Sequence, residues 1–154
     1  MKQVLLALAA TAALSCALPA HAQFQKPGDA IEYRQSGFTI LATHFKRVSM
    51  MAQGKTPFDA KLAAENTAVM MAVAKLPFSA FPEGSTTGHP TAARAEIWKE
   101  ADKFREASEK MISEVAKLDA AARAGNLDQI KAAVGGVGQS CKACHDSYKD
   151  KHEH

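Results

Sequence analysis

The chain has 154 residues and a formal net charge of +3, with 19 basic and 16 acidic side chains mixed along its length. That length fits one domain with a real hydrophobic core. The interspersed charge argues against a nucleic-acid footprint and against a basic membrane-binding arm.

Residues 1–22 read as a secretory leader. Lys2 supplies the positive start, residues 4–18 the apolar stretch, and Ala20-His21-Ala22 a small-residue cleavage site. The apolar run is too short and wrongly flanked for a membrane span. Ala13-Leu14-Ser15-Cys16 makes a poor lipobox, so a lipid anchor through Cys16 is the weaker reading. Cleavage before Gln23 is expected, leaving one soluble domain over residues 23–154 in the periplasm. Cys16 departs with the leader, and the two cysteines that remain belong to a single motif. No structural disulfide is therefore expected, although the compartment permits one.

Pro27-Gly28-Asp29 offers the first helix start, with Asp29 placed to cap it. Ile31, Arg34, Phe38, Leu41, Phe45 and Val48 then recur at steps of three and four, one helical face that ends near Gly54. Arg34 does not belong on an apolar seam: a guanidinium facing a core needs an anion, or must snorkel to water. A second helix is expected from Pro57-Phe58-Asp59 to Pro77, with Phe58, Leu62, Val69, Ala72 and Leu76 as its apolar face. Residues 77–91, rich in Pro, Gly, Ser and Thr, form the longest loop, packed down by Phe78 and Phe81. A third helix is predicted over residues 91–124, closed by Gly125-Asn126. Its stripe is Ile97, Ala101, Phe104, Ser108, Met111, Val115, Leu118 and Ala122. The fourth carries Leu127, Ile130, Val134, Val137, Cys141, Cys144 and Tyr148. Gly135, Gly136 and Gly138 interrupt it where a flat ligand or another helix comes close. Four amphipathic helices and no strand pattern predict an all-α, antiparallel up-down four-helix bundle.

The fourth helix holds Cys141-Lys142-Ala143-Cys144-His145, the C-x-x-C-H haem-attachment signature. Residues three and four apart share a helical face, so two thiols and an imidazole can meet one macrocycle. Cys141 and Cys144 are then the covalent attachment points of one haem c, and His145 is the axial iron ligand. A redox disulfide would want a βαβ context and a zinc site a second ligand pair, and neither pattern is present. His44 lies off the strict seam, and Met50, Met51, Met70 and Met71 read as gap-filling core rather than ligands.

On these residues the chain resembles cytochrome c′ of the class II c-type cytochromes. The resemblance rests on C-K-A-C-H on the last helix followed by Asp146-Ser147-Tyr148. It rests equally on Lys26-Pro27-Gly28-Asp29-Ala30 and Tyr33-Arg34-Gln35-Ser36 on the first. It implies a pentacoordinate iron with His145 proximal and an apolar distal residue four after Arg34, which is Phe38. It further implies that Arg34 and Gln35 contact a haem propionate, giving the seam's misplaced charge an anion. Arg94 and Glu96 match a family stretch at the haem edge more loosely. Lys149 stands where the family commonly has a proximal Arg, and Phe38 where it commonly has Leu or Met. Lys149 is also readable as a solvated charge favouring the helix C-terminus.

The expected function is a monohaem cytochrome that binds nitric oxide or carbon monoxide and changes redox state by one electron. An apolar distal wall offers bound dioxygen no hydrogen bond and no acid for bond cleavage, so an enzyme is not expected. Nitric oxide reduction would need a reductant and donor on which the sequence is silent. The alternative is a plain electron-transfer protein with six-coordinate haem. The resemblance also implies a homodimer through the first two helices.

Overall fold

The computed structural model describes residues 23–151. The expected leader with Cys16, and the tail histidines His152 and His154, lie outside them. Helix α1 runs Pro27–Ala52, α2 Ala60–Val73, α4 Ala101–Arg123 and α5 Leu127–Tyr148. A 3-10 turn at Pro77–Ala80 and the single-turn helix α3 at Glu96–Lys99 sit between α2 and α4. α1 packs against α2 and α5, and α4 against the same two, so the long helices close a four-helix bundle around one core.

The α1 seam points inward as expected. Ile31, Arg34, Leu41 and Val48 are buried, and Phe38 and Phe45 pack partly covered against the core. Pro27 opens the helix behind an extended Lys26, which makes no side-chain cap. Asp29 is therefore not the cap; it sits in the first turn, where a carboxylate favours the positive helix end. Gly54 takes φ +68°, the left-handed turn that reverses the chain.

The structure corrects the reading of α2 twice. Asp59 is its N-cap, accepting from the Leu62 N–H at 2.9 Å, so Pro57 and Phe58 precede the helix. Its buried face is Ala63, Asn66, Thr67 and Met70, while Leu62 and Leu76 are exposed. Apolar patterning alone selects leucine over threonine, but here the polar residues are satisfied inside. Thr67 Oγ1 donates to Asp119 Oδ1 at 2.8 Å, and Asp119 Oδ2 pairs with Arg123 Nε at 2.7 Å. His44 Nδ1 donates to Asn66 Oδ1 at 2.8 Å, and Asn66 Nδ2 to the Leu62 carbonyl at 2.7 Å.

The third predicted helix is two. Glu100, at φ −121° and ψ 44°, separates α3 from α4, and Ala101 is consequently exposed rather than on the seam. Residues 92–94 are not helical because their backbone is already engaged. The Arg94 N–H donates to the Tyr148 carbonyl at 3.0 Å, and the Asp150 N–H to the Ala92 carbonyl at 2.9 Å. This antiparallel bridge, Ala93 to Lys149, ties the chain entering α3 to the end of α5. Among the α5 glycines, Gly136 faces another helix: the Glu114 carboxylate of α4 fills the space a Cβ would take. Gly135 and Gly138 have no such neighbour within 4 Å.

Glu114 is buried at that crossing and receives Lys110 at 2.8 Å and Lys117 at 2.9 Å. The hydrogen bonds from Lys110 and Lys117 hold its carboxyl below the usual range against the opposing cost of burial. A depressed carboxylate stabilises the fold above its unfolded value, and that contribution disappears as pH falls through the folded one. Denaturation midpoints of Glu114→Gln should accordingly lie below the parent at neutral pH and converge with it in acid. Thr67→Val should cost about 1–3 kcal/mol in chemical denaturation, because it leaves the buried Asp119 short of a donor.

Candidate cofactor site

At one end of the bundle α1 and α5 face each other across a cavity of about 450 Å³, a size usual for small-molecule and cofactor pockets. α1 contributes Arg34, Gln35, Phe38 and Thr39. α5 contributes Cys144, His145 and Tyr148, with Lys149 just beyond its end. Phe78 and Phe81 close the wall after α2, Thr91 to Ala93 the wall before α3, and Ile97 and Phe104 the floor.

On α5, Cys141 is half-buried against the core one turn before Cys144, and both thiols are free. Burial pushes both thiols above their usual range, so as thiols they stay protonated. His145 follows on the same helical face. The residue is exposed to solvent overall; the partial burial of its ring lowers the pKa first and the Lys149 charge lowers it further, with Asp146 opposing. Both leading causes favour the neutral imidazole, the form that ligates a metal.

Phe38 looks at this constellation from α1. Its ring packs edge-on against Phe78, centroids 5.4 Å apart at 83°, and lies 6.5 Å from Phe81. Phe104 joins the set at 5.0 Å from Phe81, 6.0 Å from Phe78 and 5.3 Å from Tyr148. Offset and edge-to-face contacts of this kind make an interlocked apolar wall. Phe104 and Tyr148 were visible as members of their helical seams, but periodicity alone does not mark a seam residue as cavity-lining. Trp98 braces the wall from outside, its Nε1 donating to the Phe81 and Pro82 carbonyls at 3.2 and 3.1 Å.

Arg34 lines the cavity yet is only 2% exposed, and its terminal nitrogens already have partners. Nη1 donates to the Ala80 carbonyl and Ser85 Oγ, and Nη2 to the Ser85 carbonyl and Thr91 Oγ1. The buried charge thus meets neutral acceptors of the 80–91 loop, a solution the sequence did not signal. Burial lowers the guanidinium pKa, but arginine remains charged. Gln35 Nε2 donates to the Pro90 carbonyl at 2.9 Å while its residue also borders the cavity.

Lys149 borders the cavity, but not by helical register. It is extended at φ −122° and ψ 132°, drawn out of α5 by the bridge to Ala93, with its N–H still on the His145 carbonyl at 3.1 Å. Arg94 and Glu96 do not line the cavity. They pair with each other at 3.3 Å next to its Ala92–Ala93 wall, and Arg94 also approaches Asp150 at 3.8 Å. His44 is engaged with Asn66, and Met51 and Met70 are buried in the core. Among the described residues, no methionine and no histidine other than His145 lines this cavity.

Cys144 and His145 border this aromatic-walled cavity, while Cys141, one turn back on the same helical face, packs against the core. Two thiols and an imidazole at that spacing form a donor set that suits a flat macrocycle with a metal at its centre. Comparison with known proteins points the same way. A family model described as Cytochrome C′ matches residues 29–149. The chain is 57% identical over 129 residues to cytochrome c′ of Rubrivivax gelatinosus, covering 84% of this chain and 100% of that one. It is 44% identical to cytochrome c′ of Alcaligenes xylosoxydans xylosoxydans, covering 84% and 99%. The crystal structure of the Rubrivivax gelatinosus protein superposes with a TM-score of 0.81 at 56% identity, over 83% of this chain and 100% of that chain. A nitric oxide complex of a mutant cytochrome c prime from Alcaligenes xylosoxidans superposes at 0.79 with 43% identity, over 84% and 99%.

Proposed function

The chain belongs to the cytochrome c′ family, and from that membership we propose that it is a periplasmic monohaem cytochrome with a pentacoordinate iron open to nitric oxide and carbon monoxide. Members of the family carry a covalently bound haem c and serve gas binding and electron transfer rather than turnover. When bound, the haem supplies an iron that takes up a diatomic ligand and exchanges one electron.

The chain's own residues shape that chemistry. Cys141 and Cys144 would hold the macrocycle to α5 as thioethers, and His145, on the same helical face, would supply the imidazole to its iron. Lys149, which lines the same cavity, adds to the burial that favours the neutral imidazole and would lie on the His145 side of a bound haem. Across the cavity Phe38 offers hydrocarbon alone, with neither a donor atom for the metal nor a hydrogen bond for a ligand. Its ring, wedged by Phe78, leaves room for small neutral diatomics and resists larger ones. Arg34 and Gln35 line the cavity and would be donors for a propionate, Arg34 through the Nε–H left over from the loop. Arg94 and Glu96 lie behind the Ala92–Ala93 wall, paired with each other, and would reach a bound haem at most through its edge.

The observation that carries this reading is the composition of the cavity wall. Its lining includes both His145 and Phe38 and, among the described residues, no second histidine and no methionine. A six-coordinate electron shuttle would need one. The homology to proteins solved with nitric oxide supports a gas ligand. The leader-like sequence of residues 1–22 supports the periplasm, and no described helix is long and apolar enough to cross a membrane. The redox partner has no signature in the chain.

A homodimer through α1 and α2 is part of the same reading. The two helices pack side by side, and Tyr33 and Ile40 of α1 and Leu62 of α2 are each between 37% and 45% exposed. Large apolar side chains gathered on neighbouring helices suit a second copy better than water.

Absorption spectroscopy of the ferrous protein tests the assignment: a high-spin spectrum that changes on adding nitric oxide is expected, and a low-spin six-coordinate one would refute it. Phe38→Ala should speed carbon monoxide association by about tenfold or more, since steric access on the distal side limits entry. Rapid mixing with carbon monoxide gives that rate directly. Leu62→Glu should convert the dimer to monomer in sedimentation experiments without altering the spectrum, because it sets an unpaired charge in an apolar contact.

A further inference from the structure

The 80–91 loop is fastened to α1 at several points. Arg34 Nη1 reaches the Ala80 carbonyl at 3.1 Å and Ser85 Oγ at 2.8 Å. Nη2 reaches the Ser85 carbonyl at 2.9 Å and Thr91 Oγ1 at 3.1 Å. The same guanidinium lies 4.4 Å from the centroid of the Phe81 ring, within cation–π range. Gln35 takes the Pro90 carbonyl, and Gly28 meets Gly88 so closely that a Cβ on either would press on the other's backbone. Phe81 and Thr91, at the two ends of this fastening, both line the cavity. Among the described residues, no carboxylate lies within ion-pair distance of Arg34. A guanidinium has five N–H donors, and the loop occupies four.

We propose that Arg34 is a positioning residue whose main work is to fasten the 80–91 loop to α1. It thereby fixes the Phe81–Thr91 wall and sets how easily a small ligand enters the cavity. The inference deepens the gas-binding reading and rests on it. It differs from a propionate clamp in what it demands of the side chain. A clamp needs a positive charge, which lysine keeps, whereas four diverging acceptors need the planar fork, which lysine lacks.

The haem-loaded, full-length protein tests this with Arg34→Lys and Ser85→Ala. Two amides report on the loop: Ser85 N–H, bonded to the Pro82 carbonyl at 3.1 Å, and Ala93 N–H, bonded to Thr91 Oγ1 at 3.2 Å. Arg34→Lys should speed hydrogen exchange at both by about tenfold or more. It should also speed carbon monoxide association by about threefold or more, as a loosened wall admits ligand. Ser85→Ala removes one loop acceptor and leaves α1 intact, so a smaller change of the same sign is expected. Exchange unchanged at both amides in Arg34→Lys, with only the reduction potential shifted, would assign Arg34 to an acidic haem substituent and overturn the proposal. Faster exchange with unaltered carbon monoxide association would overturn it too. A six-coordinate spectrum in the unsubstituted protein would instead strike the gas-binding reading itself, and amide exchange stays readable in either coordination state.

Discussion

A bundle of four amphipathic helices buries most apolar surface by closing along its whole length, yet this one keeps a cavity between α1 and α5. Interlocked aromatic rings hold it open. Phe38, Phe78, Phe81, Phe104 and Tyr148 meet edge to face or tilted, with centroids 5.0–6.5 Å apart. Each ring is too large and too rigid to fold into the space beside it without losing those contacts. The remainder of the bundle supplies the stability that an open end forgoes. Its core runs through Val48, Met70, Val115, Leu118, Ile130 and Val137, all nearly inaccessible to water.

The chemistry proposed for the site follows from what each wall lacks as much as from what it offers. α5 brings an imidazole disposed to be neutral and two thiols, while α1 brings a hydrocarbon ring and a charge already committed elsewhere. Such asymmetry separates a haem that accepts a gas from one that only passes electrons. It arises from register on two facing helices. The less regular parts, the 3-10 turn, the 80–91 loop and α3, serve to hold aromatic side chains in place.

Most of the fold and the central constellation were legible in the sequence, because they depend on periodicity. The seams of α1 and α5 come out as read, and that register is what brings Phe38 and His145 to one cavity. The face of α2 was misread because Thr67 and Asn66 are buried through partners on α4 and α1, and a partner's position is not written in local patterning. The break at Glu100 escaped for a similar reason: the pull on residues 92–94 comes from the distant backbone of residues 148–150, not from a Gly or Pro nearby. Arg34 was singled out as an anomaly by its position on the seam. Its partners, carbonyls and hydroxyls of a loop, leave no mark in a side-chain pattern. Gly136 illustrates the same limit, since its need for space is created by Glu114 on another helix.

The pairing of residues 92–94 with 148–150 has a bearing on assembly. Joining segments so distant along the chain carries a high closure entropy, so it belongs among the late events, after the local helices and their nearest packings have formed. Until then the Ala92–Ala93 side of the cavity lacks its tie to the helix that bears both cysteines. A bulky planar group joined to α5 before that bridge forms would meet a cavity still unfastened on its Ala92–Ala93 side, and closing the bridge would complete the wall around it.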